Sequence, residues 1–266
     1  MSNRDFTLRK YEELCEAISN SQHTTHTIRE YLENGTITNP VILLRHDVDE
    51  NIRFALDMAK VEAEYGIKAT YYLRAKNNTY IPDTIDSIVS NGHEIGYHYE
   101  TLDDARGDMD LAIQLFAKEL AAFREKYDVK TVCMHGNPLS KYDNRDMWGR
   151  CRLSDFGLLG EPYLSLDYHK FTYFSDSGRN WDINKNKIKD TLLSPEQAAG
   201  VRNTDDLIQL IRMGNIQDIC ILTHPERWPR TGASYCYRYF VDMVYNVGKW
   251  IIVKSRRNKP SKGVQQ

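Results

Sequence analysis

The sequence lacks most of the features that mark secreted, membrane-spanning or nucleic-acid-binding proteins. Its five cysteines are an odd number, widely spaced and without a CxxC pair, which argues against a disulfide framework. No apolar run approaches the roughly 18 residues of a membrane span, and the polar start at residues 1–5 is unlike a signal peptide. Lys and Arg total 35 and Asp and Glu total 37, so a net charge of −2 offers no field for nucleic acid or an anionic membrane. We expect a cytoplasmic, reduced protein without an integral membrane segment.

The composition is that of a folded α/β protein. The chain has 266 residues, of which 41% are hydrophobic, and it can bury a full core. Strand-like and helix-like segments alternate along it, which predicts strands joined by helices. The predicted strands lie at about 41–46, 68–73, 95–98, 131–134, 171–174 and 219–223.

We find no internal repeat and no dividing linker, so we predict one domain over residues 1–266. An N-terminal helical segment occupies 1–38, and a capping box of Thr27 and Glu30 begins its second helix. Further on, Ser194 caps a predicted helix start, and another helix lies at about 205–213. Residues 233–253 are apolar or aromatic on nearly every side and predict a mostly buried helix. The basic residues of 254–266 predict a solvated, disordered tail.

The apolar run that begins at Val41 ends abruptly in ionisable side chains, among them Asp47 and Asp49. It predicts a buried strand that delivers two carboxylates to one rim of the core. Two carboxylates so close resist ionising together unless a cation lies between them, which indicates a metal site, or a base beside one. The alternative is that the acids cap the following helix. By alternation, His46 points away from Asp47 and belongs either to the support of the site or to the core.

Other predicted strands also end in ionisable or metal-binding side chains. His98, His135, Asp176 and His224 each follow a short apolar strand. In a barrel of parallel strands with outer helices, the carboxyl ends of the strands converge on one face. We therefore expect these side chains to meet Asp47 and Asp49 in one site.

Four motifs resemble those of the polysaccharide deacetylases, carbohydrate esterase family four, in the branch whose first motif is Asp-x-Asp. They are Leu-Arg-His-Asp-Val-Asp at 44–49, Tyr-Gly-Ile-Lys-Ala-Thr-Tyr-Tyr-Leu at 65–73, Asn-Gly-His-Glu-Ile-Gly-Tyr-His at 91–98 and Ile-Leu-Thr-His-Pro at 221–225. The resemblance covers roughly residues 40–230. It implies an α/β fold, a distorted and incomplete (β/α) barrel of about seven parallel strands.

The resemblance also implies roles for individual residues. Asp47 matches the general base, Asp49 and His98 match two of three ligands of a divalent metal, usually zinc, and His224 matches the general acid. Asp176 matches an acid that tunes the catalytic histidine.

The second motif departs from the family pattern at one metal ligand. Leu102 stands where the family has a second histidine, so one ligand is missing, and zinc sites in enzymes usually have three protein ligands. Glu100, Asp103 and His135 are the candidates to replace it, and Glu100 and His135 are alternatively substrate contacts. Aromatic residues near the strand ends, in particular Trp181 and Tyr99, are candidates to bind a sugar.

With these roles, the resemblance implies a metal-dependent hydrolase that removes an N-acetyl group from an acetamido sugar. The predicted compartment favours a glycan precursor, and with it a role in surface polysaccharide biosynthesis. Two alternatives stay open. One is hydrolysis of a small cyclic amide, and the other is a non-catalytic or metal-free glycan-binding protein, which the missing ligand allows.

Overall fold

The computed structural model of the chain describes residues 4–35, 37, 39–137, 140–182 and 200–257, and beyond Val244 only the side chain of Asn246 is described. The strands are β1 (Thr24–His26), β2 (Val41–Val48), β3 (Thr70–Leu73), β4 (Glu94–Tyr99), β5 (Val132–Met134), β6 (Phe171–Ser175) and β7 (Asp218–Thr223). The helices are α1 (Leu8–Ser19), α2 (Ile28–Asn34), α3 (Ile52–Glu64), α4 (Pro82–Ser90), α5 (Thr101–Asp104), α6 (Met109–Arg124), α7 (Pro162–Ser165), α8 (Thr204–Met213) and α9 (Gly232–Arg257). Short 3₁₀ helices lie at Asn144–Gly149, Leu153–Phe156 and Pro225–Arg227.

The seven strands form one parallel sheet in the order β5-β4-β3-β2-β7-β6, and β1 pairs with the first half of β2. In the described ranges β5 and β6 do not pair with each other, so the curled sheet remains an incomplete barrel, as predicted. The six strands predicted from the sequence are all present. β1 was not predicted, because three polar residues carry no alternating apolar pattern.

Side-chain alternation along β2 sends neighbouring residues to opposite faces of the sheet. Leu44 belongs to the larger core, which includes residues of α1 and α3, and Leu43 belongs to the smaller core on the other face. His46 shares the face of Leu44, where its Nε2 lies 2.7 Å from the buried carboxylate of Glu62. His46 is therefore a core residue, and Asp47 points the other way.

Local signals begin and end several helices, and the predicted capping box is among them. Thr27 and Glu30 form the capping box at the start of α2. Gly66 and Gly92 follow α3 and α4 with φ of 67° and 90°, a conformation in which a side chain is strained. The predicted helix start at Ser194 lies outside the described residues.

The C-terminal helix differs from its prediction. α9 is a helix as expected, but its side chains described up to Val244 are not mostly buried, because Tyr237 and Phe240 are 63% and 60% exposed. The apolar character of its sequence reflects an uncovered surface. It also continues through Arg257, beyond the predicted end at 253. None of the helices in the described ranges has the length and apolarity of a membrane span.

Candidate active site

The carboxyl ends of the parallel strands bring the predicted site residues together. Asp49 follows β2, His98 lies near the end of β4, and His135 follows β5. β4 and β5 are neighbours, and only β3 separates β4 from β2. This strand order brings Asp49 into contact with His135, which lies 86 positions further along the sequence.

Three metal-binding atoms form a small triangle at this edge of the sheet. Asp49 Oδ1 lies 3.3 Å from Nε2 of His98 and 2.9 Å from Nδ1 of His135. The two histidine nitrogens lie 3.3 Å apart. Bonds of about 2.0–2.1 Å to a tetrahedral metal place ligand atoms roughly 3.3 Å from one another. The spacing of the three atoms therefore fits ligands that share one tetrahedrally coordinated metal ion.

The surroundings of the triangle keep its donor atoms available. His98 Nδ1 lies 2.9 Å from the carbonyl oxygen of Cys133 and donates to it, which leaves Nε2 with its lone pair for a metal. Asp49 Oδ1 is buried and, although His135 Nδ1 lies only 2.9 Å away, it has no hydrogen-bond partner of good geometry among the described residues. A buried carboxylate oxygen in that state is costly unless a cation binds it. Its environment therefore also fits a metal ligand.

The charges within the triangle support one another. Burial opposes the ionisation of Asp49, but the attraction of His135 and the closeness of the His98 and His135 imidazoles outweigh it and hold the pKa of Asp49 well below its usual range. Burial likewise disfavours protonated His135, but Asp49 outweighs it and raises the pKa of His135. Without a metal the pair is an ion pair. A bound cation would displace the imidazole proton, so metal affinity should fall as the pH is lowered.

A second group of potential ligands, Asp47, His98 and Cys133, also lies within bonding reach of one ion. Burial raises the pKa of the Cys133 thiol well above its usual range, the sulfur is 3.0 Å from Nη1 of Arg45, and a metal needs the thiolate. Asp49, His98 and His135 are therefore the better ligand set.

Asp47 lies beside the metal triangle without belonging to it. Its Oδ2 is 4.0 Å from His98 Nε2 and 3.7 Å from Nη2 of Arg45, and both Asp47 and Arg45 are buried. Its Oδ1 is buried and has no hydrogen-bond partner among the described residues. A carboxylate in this position, with one free oxygen next to the metal site, is suited to accept a proton.

His224 and Asp176 form the other side of the site. His224 Nδ1 lies 2.6 Å from Asp176 Oδ1, and the backbone N–H of His224 donates to Oδ2 at 3.0 Å. Arg227 Nη1 and Trp228 Nε1 donate to the same carboxylate at 2.8 and 2.9 Å. Burial opposes ionisation of Asp176, but Arg227 and His224 outweigh it and lower its pKa.

The protonation of His224 depends on opposing charges. Burial and Arg227 disfavour the imidazolium, and Asp176 outweighs them, so the pKa of His224 is raised. His224 belongs to neither group of potential metal ligands found among the described residues. The arrangement suits a proton donor, since Nδ1 is held by Asp176 and no hydrogen bond to Nε2 is found among the described residues.

The structure distinguishes between the candidates for the missing ligand. Leu102 is buried against Ala105 and Ala112. Glu100 forms a two-pronged ion pair with Arg74, whose Nη2 lies 2.6 Å and 2.7 Å from its oxygens. Asp103 instead accepts a hydrogen bond from Asn144 Nδ2 at 3.1 Å. His135 is the candidate that lies with Asp49 and His98.

Both aromatic residues predicted to bind substrate are buried. Trp181 is 1% exposed, packs on Trp228 and donates from Nε1 to Thr204. Tyr99 is 0% exposed, and its hydroxyl accepts a hydrogen bond from Trp148. Their rings complete the core around the strand ends and present no surface to a sugar.

Several residues of the candidate site were not predicted. Arg74 supports the metal triangle by donating from Nη1 to the carbonyl oxygen of Asp49 at 2.8 Å. Glu226 is buried near Asp49, and burial together with that negative charge raises the pKa of Glu226 to about 8. Glu226 and Arg227 directly follow His224 and Pro225. The rule that charged residues after a buried strand belong to the site would have found them.

Comparisons with known proteins give structural likenesses only. No protein-family model matches the chain, and no curated protein matches it at a significant level. The chain is similar to a CE4 esterase of Streptococcus mutans, with a TM-score of 0.47 and 13% identity over 83% of this chain and 86% of that one. It is also similar to a family 4 carbohydrate esterase from Streptomyces lividans in complex with acetate, with a TM-score of 0.39 and 15% identity over 79% and 90% of the two chains. A Streptococcus pyogenes deacetylase in complex with acetate has a TM-score of 0.39 and 13% identity over 57% and 78%.

Proposed function

We propose that this protein is a metal-dependent hydrolase that removes the N-acetyl group from an acetamido sugar in a glycan or glycan precursor. The observation that carries the proposal is the triangle of Asp49, His98 and His135, with Asp47 beside it and the His224–Asp176 pair in the same site. A ligand set, a base and an acid are the parts that amide hydrolysis requires. The resemblance of the four motifs to those of polysaccharide deacetylases supports the same reaction.

A divalent metal, for which we propose zinc, would be held by Asp49, His98 and His135, and would polarise the amide carbonyl and acidify a water. Asp47 accepts the proton of the attacking water on its free Oδ1. The other oxygen, Oδ2, lies 3.7 Å from Nη2 of Arg45.

His224 donates a proton from Nε2 to the departing amine. Its Nδ1 is fixed by Asp176, which holds the ring in one orientation and favours the protonated state. The products are acetate and a free amino sugar. We further propose that the substrate is a precursor in surface polysaccharide biosynthesis and that the reaction takes place in the cytoplasm.

Acetate release from N-acetylglucosamine oligomers by the zinc-loaded protein tests this function. Asp47→Asn keeps the side-chain volume, so we expect it to lower kcat by about 10² or more and to retain bound metal. Activity within a few-fold of the unchanged protein would remove Asp47 from the role of base.

Elemental analysis tests the ligand set separately. We expect His135→Ala to lose zinc and His169→Ala, a control at an exposed histidine, to retain it. Retention of zinc by His135→Ala would assign the third ligand elsewhere. Zinc binding without acetate release from any oligomer would favour the alternative of a non-catalytic glycan-binding protein. Hydrolysis of small cyclic amides, without acetate release from the oligomers, would favour the cyclic-amide hydrolase.

A further inference from the structure

Helix α9 is packed against the protein by its polar side. Arg238, Asp242 and Asn246 recur every fourth residue and form one stripe of the helix. Arg238 pairs with Glu50, Asp242 with Arg179, and Asn246 donates to the carbonyl oxygen of Gly178 at 3.3 Å. These partners follow the ends of β2 and β6. α9 therefore lies at the same edge of the sheet as the candidate active site.

The opposite side of α9 is apolar and exposed. Tyr237, Phe240 and Val244 lie about half a turn away from the polar stripe, and they are 63%, 60% and 54% exposed. The same spacing continues in the sequence at Val247 and Ile251. A helix that is held by its charged side and turns aromatic and aliphatic residues to solvent has the reverse of the usual polarity of a surface helix.

The charge of the segment is strongly biased, although the whole chain has a net charge of only −2. After Asp242 the sequence has no Asp or Glu. Its basic residues there are Lys249, Lys254, Arg256, Arg257, Lys259 and Lys262. An exposed apolar helix face continued by a purely basic segment complements the acyl boundary and the anionic headgroups of a membrane.

We propose that α9 binds the surface of an anionic membrane through the face formed by Tyr237, Phe240 and Val244, with the basic C-terminal segment against the headgroups. The helix would lie in the interface and not cross it. Since α9 lies at the edge of the sheet that carries the site, binding would hold the candidate active site close to the membrane surface. The proposal does not depend on the hydrolytic activity, because binding is measured without substrate.

Vesicle co-sedimentation of the full chain tests this proposal. We expect binding to vesicles of phosphatidylcholine mixed with phosphatidylglycerol, and little binding to phosphatidylcholine alone. The double variant F240S/V244S should lower the partition coefficient by at least about tenfold, because two apolar side chains leave the interface. R256Q/R257Q should also lower it by roughly tenfold or more and reduce its dependence on salt.

A matched control is the double variant L164S/M213S, which changes two equally exposed apolar residues, 51% and 53%, on other helices. It should bind as the unchanged protein does. Circular dichroism would establish that each variant is folded. Equal binding by F240S/V244S and the unchanged protein, or no binding of the unchanged protein to anionic vesicles, would overturn the proposal. So would a dimer in light scattering that F240S/V244S converts to monomer, because the face would then join two copies of the chain.

Discussion

The His224–Asp176 pair allows a sharp test of the acid role through the substitution Asp176→Asn. The two side chains are 2.6 Å apart, and with an effective dielectric constant of about 20, Coulomb's law gives an attraction of roughly 6 kcal/mol as an upper limit. The amide of Asn keeps the volume and removes the charge. Arg227, which already disfavours the imidazolium, remains in place. The pKa of His224 should therefore fall.

The expected consequence is a shift of the alkaline limb of kcat/KM. A proton donor must be protonated to act, so lowering the pKa of His224 moves the loss of activity to lower pH. At pH 8 we expect kcat/KM for an N-acetylglucosamine oligomer to fall by about 10², within the range that a positioned acid contributes. The zinc content should not change, because neither residue belongs to the ligand set.

Arg227→Gln provides a control of opposite sign. Because Arg227 lowers the pKa of His224, its removal should move the alkaline limb to higher pH.

Asp176→Asn also removes a carboxylate that pairs with the buried Arg227, at a cost of about 3–5 kcal/mol of stability, so the profiles should be recorded well below the unfolding temperature. An unchanged alkaline limb in folded Asp176→Asn would refute the acid role of His224. Loss of zinc from folded Asp176→Asn would indicate instead that His224 is a metal ligand.

Three further predictions concern the stability of the fold. Glu62→Gln should lower stability by about 3–5 kcal/mol in urea, because the buried carboxylate accepts three side-chain hydrogen bonds. Burial opposes the ionisation of Glu62, but neighbouring imidazoles outweigh burial and lower the pKa of Glu62. The carboxylate therefore stabilises the fold fully above about pH 4.3, and this stabilisation is lost as the pH falls through the lower pKa of the folded state. Equal acid unfolding of Glu62→Gln and the unchanged protein would contradict this. Arg45→Met should cost about 3–5 kcal/mol, since it leaves Asp47 buried without its partner at 3.7 Å, and an unchanged urea midpoint would show that the pair contributes nothing. Gly96→Ala should lower the melting temperature by the equivalent of about 1–3 kcal/mol, because a Cβ atom would lie 2.4 Å from the Tyr72 ring; an unshifted melting curve would mean that the ring yields freely.

The position of α9 gives the proposed hydrolase a geometric relation to its substrate. A lipid-linked precursor presents its sugars within a short distance of the membrane surface. A site at the same edge of the sheet as a membrane-binding helix would meet such sugars without the substrate leaving the bilayer. Comparing activity on soluble oligomers with activity on vesicle-bound glycolipids would measure this relation.

The local features of the fold could be predicted from the sequence. Thr27 and Glu30 form hydrogen bonds with backbone groups of their own helical turn. Gly66 and Gly92 supply the positive φ that the chain needs where a helix ends. Each of these signals acts within a few residues and can be recognised without knowing the tertiary contacts. Apolar runs of strand length separated by helical patterns predicted the parallel sheet. Because parallel strands expose their carboxyl ends at one edge, the acids and histidines that follow them could also be expected to converge.

Only the tertiary structure decided which of those residues meet. The sequence did not distinguish among three candidates for the third ligand, His135, Glu100 and Asp103, because the choice depends on contacts between distant segments. The order of the strands places His135 beside Asp49, and Glu100 forms an ion pair with Arg74 instead. The burial of Trp181 and the exposure of α9 were likewise open in the sequence. An apolar residue contributes to the sequence pattern in the same way whether or not another element covers it. Periodicity describes the pattern of one segment and does not show what packs against that segment.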